Sequence, residues 1–250
     1  MIPSAMKKIL VLSSLLLAGL ANTFAQTAED IIKKVDANLS SHSRVFVSDM
    51  VIHGRRTTRT VTSKTYSEGT EKSFTEYLAP DREKGTKMLK LEDMLWIYSP
   101  STDRIIQISG HMLKQSVMGS DLSYEDMMED RELMDIYDAA IAGEEIIDGR
   151  KTWIIELTAK VEDATYQRQK MWVDQEQYVP LKQEMYAKSG KLLKRVILSE
   201  VQKIGNRWYP TKMNYKDMLK DGEGTDFIIK EIAFDVDIPE YIFSKASLKK

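Results

Sequence analysis

From about residue 44 onward, apolar and polar side chains alternate in runs rich in Val, Ile, Thr and aromatic residues. A period of two sends successive side chains to opposite faces of a pleated strand, so each run predicts a strand with one buried face. The pattern predicts strands over 44–53, 56–67, 70–79, 86–92, 94–99 and 103–108, then over 138–147, 151–160, 167–174, 180–187, 191–203, 206–219 and 225–236. Ser67-Glu68-Gly69, Asp148-Gly149, Ser189-Gly190, Gly205-Asn206 and Asp221-Gly222-Glu223-Gly224 separate them, each holding residues that tolerate positive φ. This is the reading of an antiparallel β-meander. Trp153, Ile155 and Leu157 share one face, as do Met171 and Val173. A sheet this large with one apolar face curls into a barrel or splits into a sandwich.

Two stretches depart from the period of two. Ile31, Ile32, Val35 and Leu39 follow helical spacing, with Thr27 placed to cap the first turn. Gly110 to Leu133 predicts a loop and a short helix, because Ser123 stands three residues before Asp126 as in a capping box. Met112, Met118, Met127 and Met128 fall in this stretch, Met134 lies just beyond it, and Met88 lies upstream. Flexible thioethers suit a surface that accepts apolar shapes, and they equally suit gap-filling in a core. With Gly110 and Gly119 beside Met112, Leu113 and Met118, the segment 111–128 is expected to act as a lid.

Ahead of all this, Lys7 and Lys8 precede an uninterrupted apolar run, Ile9 to Leu20, and small residues end at Ala25. That order predicts a secretory signal peptide over residues 1–25, cleaved after Ala25. The run is shorter than the roughly 20 residues of a membrane-spanning helix. A single domain over 26–250 is expected, since no Pro/Ser linker divides it. No cysteine occurs, which removes disulfides, thiol catalysis and a lipidated N-terminal Cys. Lysine and arginine number 36 against 38 acids, a balance that argues against a nucleic-acid partner.

Chemistry-bearing motifs are few. His42, His53 and His111 stand singly, without metal-ligand spacing. Glycine-rich phosphate loops and a G-x-S-x-G nucleophile elbow are missing, so neither a cofactor nor a catalytic residue is expected, and a lipid hydrolase is the weakest reading. Trp96 and Tyr98 alternate onto one face with Met94, although parity alone does not say which face is concave.

Several segments together resemble the LolA-like outer-membrane lipoprotein-sorting family of bacterial periplasmic proteins. They are Met94-Leu95-Trp96-Ile97-Tyr98-Ser99-Pro100, Met118-Gly119-Ser120-Asp121-Leu122-Ser123-Tyr124-Glu125-Asp126-Met127, Met171-Trp172-Val173-Asp174, Tyr178-Val179-Pro180-Leu181-Lys182 and the run from Ile232 to Ser244. The resemblance covers essentially the whole chain after residue 25, in order, and is to the broader branch of the family. It implies a mainly β fold, a strongly curved incomplete antiparallel barrel with short helices closing the open side, enclosing an apolar cavity for acyl chains. Met88, Trp96, Tyr98, Met112, Leu113, Met118, Tyr124, Met127, Met128, Trp153 and Met171 are then expected in cavity or lid. The implied function is a periplasmic carrier of lipid or lipoprotein acyl chains. Its implied partners are an inner-membrane exporter of the resistance-nodulation-division or MMPL type and an outer-membrane acceptor. A periplasmic sensing module is the alternative, but regulators of that kind carry a second domain for which this chain has no room.

Overall fold

The computed structural model describes residues 26–54, 57–129 and 131–249. The expected signal peptide lies outside the described residues. Thirteen strands form: β1 (Ser43–His53), β2 (Thr58–Glu68), β3 (Lys72–Ala79), β4 (Lys87–Leu91), β5 (Met94–Ser99), β6 (Arg104–Ile108), β7 (Tyr137–Ile147), β8 (Arg150–Ala159), β9 (Arg168–Asp174), β10 (Pro180–Tyr186), β11 (Leu192–Ile204), β12 (Arg207–Asp217) and β13 (Thr225–Phe234). Each lies within two residues of its expected bounds. Every pairing is antiparallel, and all strands belong to one sheet that does not close into a barrel. The fold is the expected half-barrel.

A plain meander would leave the first and last strands at the edges. Here the order is β6-β5-β4-β3-β2-β1-β13-β12-β11-β10-β9-β8-β7. β1 and β13 join mid-sheet, from Arg44 opposite Phe234 to Ile52 opposite Thr225. The consecutive strands β6 and β7 lie at opposite edges, and the segment between them has to pass from one edge of the sheet to the other. It holds 3₁₀ turns at Gly110–Lys114 and Val117–Gly119, then the short helices α2 (Tyr124–Met128) and α3 (Leu133–Ile136). The earlier helix, α1 (Ala28–Leu39), contacts β7 and β12.

Local chemistry explains these elements. Thr27 and Asp30 form a reciprocal capping box at the start of α1, satisfying two of the amides a helix start leaves unpaired. Ile31, Ile32 and Val35 are fully buried, and each contributes about 1.5–3 kcal/mol through burial. A helix this short depends on that packing. Ser123 and Asp126 make the same box for α2, as the sequence predicts.

Three apolar clusters hold the molecule. Ile155, Leu157, Met171 and Val173 pack against α1, with Trp153 at their side, so the face read from alternation is the concave one. Met50, Val61, Met88 and Leu95 pack beneath Val117 and Tyr124 of the crossover. On the convex face, Phe74, Leu89 and Trp96 are covered by Ile238, Phe243 and Leu248 of the C-terminal segment.

Candidate functional site

Between the two concave clusters lies a cavity of about 480 Å³. Its floor is the concave face of β9 to β13 and of β1: Met171, Val196, Leu198, Met213, Phe227 and Phe46. Its walls come from Val35 and Leu39 of α1 and Leu133 and Ile136 of α3, with Glu125, Asp126 and Glu129 along α2. Alternation explains the floor. Leu198 lies opposite Met213, Met213 opposite Phe227 and Phe227 opposite Met50, so one apolar row crosses four strands.

A few polar groups punctuate this lining. Gln183 Nε2 donates to Gln169 Oε1 at 2.5 Å, Gln169 Nε2 to the Tyr137 hydroxyl at 2.7 Å, and that hydroxyl to the Tyr166 carbonyl at 2.9 Å. Burial pushes the hydroxyl of Tyr137 above the usual tyrosine range and that of Tyr215 up to about 12, so both stay neutral donors. On β1, Arg44 Nε donates to Ser67 Oγ at 3.1 Å while the guanidinium lies over Phe46.

The crossover is fastened over the sheet by polar contacts. Asp121 accepts from the Asp217 amide and the Thr225 hydroxyl, both at 2.9 Å, and its own amide donates to Thr225 Oγ1 at 3.0 Å. Lys220 donates to Ser116 Oγ at 2.7 Å and to the Ser120 carbonyl at 3.1 Å. Asp126, already in its capping box, takes the Tyr166 hydroxyl at 2.5 Å and pairs with Lys194. Burial draws the Lys194 ammonium down to about 8, against the pull of Asp217, Asp121 and Glu125, which leaves it a cation at neutral pH beside Asp126. Left-handed backbone at Met118 and at Gly119, where φ is +72°, turns the Met118 carbonyl toward Arg59. The Gly119-to-Asp126 motif is thus the part of the crossover that grips the sheet. Behind α2, a polar cleft of about 320 Å³ shares Glu125, Thr165, Tyr166 and Lys194 with the apolar cavity.

The expected site residues divide into several groups. Met88, Met112, Leu113, Met118, Tyr124 and Met128 meet in the cluster under the crossover. Met171 lines the cavity, and Trp153 packs beside α1 with its ring 5.5 Å from that of Tyr178. Met127 is 37% exposed. Trp96 and Tyr98 are a correction: they belong to the convex cluster, where Lys245 Nζ sits 4.0 Å from the Trp96 ring centre. The register causes it, since Trp96 pairs with Leu89 and Ile97 with Met88, which sets Trp96 and Met88 on opposite faces. Missed from sequence were Phe46 and the floor of β10 to β13. Their alternation was visible, but not their convergence on the joint between β1 and β13.

Among the described residues no cluster of His, Asp and Glu could hold a metal ion, and no helix is long and apolar enough to cross a membrane.

No curated protein matches the chain. The model of a family described as an uncharacterized protein matches residues 69–250. Among solved structures, a DUF1329 family protein from Desulfovibrio piger is 28% identical, with a TM-score of 0.79 over 88% of this chain and 97% of that one. A LolA superfamily protein from Nitrosomonas europaea is 26% identical, with a TM-score of 0.71 over 89% and 100%. A domain from Vibrio parahaemolyticus, named for outer membrane lipoprotein sorting, shares the fold at 22% identity, with a TM-score of 0.76 over 89% and 100%. Family match and half-barrel agree: the chain belongs to the family of uncharacterized proteins whose model spans residues 69–250, and its fold is that of the LolA-like half-barrels.

Proposed function

We propose that the protein is a periplasmic carrier that takes lipid acyl chains, free or on a lipoprotein, into its cavity and conveys them toward the outer membrane. The observation that carries this reading is the apolar cavity of about 480 Å³ between the concave sheet and the helices over it. Sites that take one small molecule span about 300–1,000 Å³. Each CH₂ removed from water gains about 0.8 kcal/mol, so a chain of about 14 to 16 carbons gains roughly 10 kcal/mol before the entropic costs of binding. Few polar contacts are needed, and the surface of the cavity is mostly apolar.

In this reading the leader is removed after Ala25 and the mature protein works free in the periplasm. An inner-membrane exporter of the resistance-nodulation-division or MMPL type supplies the cargo, and an outer-membrane acceptor receives it. The crossover serves as the lid: besides its apolar packing over Met88 and Met50, its hold consists of exchangeable hydrogen bonds and the ion pairs of Asp126 with Lys194 and Arg131 with Asp163, and its helices are too short to persist undocked. Binding, rather than catalysis, is the role.

Titration of delipidated protein, starting at Gln26, with a fluorescent fatty acid tests the reading. Saturable uptake by the wild type, lost in Leu198→Trp because the indole occupies the floor, is the expected result. Folded wild-type protein without uptake of any acyl ligand overturns it.

A further inference from the structure

We propose that Arg44 anchors the head of the cargo, making the cavity selective for single-chain amphiphiles that end in an anionic oxygen group, a carboxylate or a phosphate. The proposal rests on the cavity's being an acyl-chain site and adds the chemistry of the other end of the ligand.

Arg44 is a cation in an apolar wall, beside Phe46 and near Tyr215. Among the described residues its guanidinium has one hydrogen bond, from Nε to Ser67 Oγ, and no carboxylate within ion-pair distance. The other wall cation, Lys194, is paired with Asp126. The acids of the wall sit on the helical side: Asp36 on α1, Glu125 and Asp126 on α2, and Glu129, which pairs with Arg131 at 2.8 Å. Arg44 is held from the sheet instead, so it stays in place when the crossover moves.

A guanidinium has five N–H donors in a rigid fork that matches two oxygens of a carboxylate or phosphate. With Nε directed to Ser67, the terminal nitrogens remain for such a group. A charge against an apolar wall without a counter-ion is costly, and an anionic head would relieve that cost. Tyr215 supplies a second donor, for among the described residues its hydroxyl reaches only the weak acceptor Met213 Sδ, at 3.6 Å. The cavity's volume suits one small molecule, so head and chain belong to the same ligand.

Displacement of the neutral dye Nile red by palmitate, by a lysophosphatidic acid with one saturated chain and by hexadecanol tests this. The wild type should bind at least one of the two anions about tenfold or more tighter than the alcohol, as charge-assisted hydrogen bonds imply. A preference confined to one anion identifies the head as carboxylate or phosphate. Arg44→Met should abolish the preference, lowering affinity for the preferred anion about tenfold or more and for hexadecanol far less, and Arg44→Lys should retain part of it. Equal affinities in the wild type, or a preference that survives Arg44→Met, would overturn the assignment. So would loss of hexadecanol binding in Arg44→Met, since that marks a structural role. Failure of the folded wild type to bind any of the three rejects the acyl-chain reading itself, and the anchor with it.

Discussion

Asp36 stands half-buried in the cavity wall on α1, where burial first and Glu132 second hold its carboxyl above the usual aspartate range. Between the ordinary and the raised value the folded chain binds more protons than the unfolded one, so stability falls as pH climbs through that window. Asp36→Asn removes the charge and keeps the shape. Its melting temperature should exceed that of the wild type at pH 7, with the gap closing as pH drops below the raised value. Trp96 carries the opposite kind of expectation. Because it is buried under the C-terminal segment and away from the cavity, Trp96→Ala should lower stability by about 3–5 kcal/mol, in the range of aromatic truncations in cores. Denaturant unfolding and acyl titration of the same variant check the pair of claims, and acyl affinity should stay that of the wild type.

Among the elements, the crossover from β6 to β7 has the most to lose from one substitution. Asp121 ties it to the hairpin of β12 and β13 through three hydrogen bonds, two of them accepted by its carboxylate. In Asp121→Ala, loosening of the segment should free the backbone around Lys114, whose side chain is already exposed, and limited trypsin digestion should cut there several-fold faster than in the wild type. The strands and caps of the protein were legible in its sequence because their causes are local. Asp148-Gly149 makes the turn between β7 and β8 with positive φ at both residues, and Ser123 finds Asp126 within one helical turn. What stayed hidden depends on contacts remote in sequence. Parity divides β5 into two faces but cannot tell that Ile238, Phe243 and Leu248 return to cover one of them. The methionines of the crossover were visible, yet Met112, Met118 and Met128 pack onto the cluster of Met88 and Tyr77 rather than open onto the cavity, whose floor comes from β1 and β9 to β13.

At the scale of the whole molecule, the joint between β1 and β13 sets the properties of the site. Phe46 comes from one of these strands and Phe227 and Ile229 from the other; the rings of Phe46 and Phe227 meet edge to face with centroids 6.2 Å apart in the cavity floor. A chain ended before Thr225 loses the strand and, with it, Phe227 and Ile229 of this floor, leaving β1 and β12 with open edges. It should be protease-sensitive and lack the near-UV signal of fixed aromatic packing, as circular dichroism would show. The same joint governs timing. β1 is among the first segments to leave a ribosome or a translocon and β13 among the last, so the pairing that completes the sheet waits for nearly the entire chain, and contacts of such long range form slowly. Until then there is no container. In the proposed role, a nascent chain of this topology therefore crosses the membrane unloaded, and its cargo is acquired on the far side.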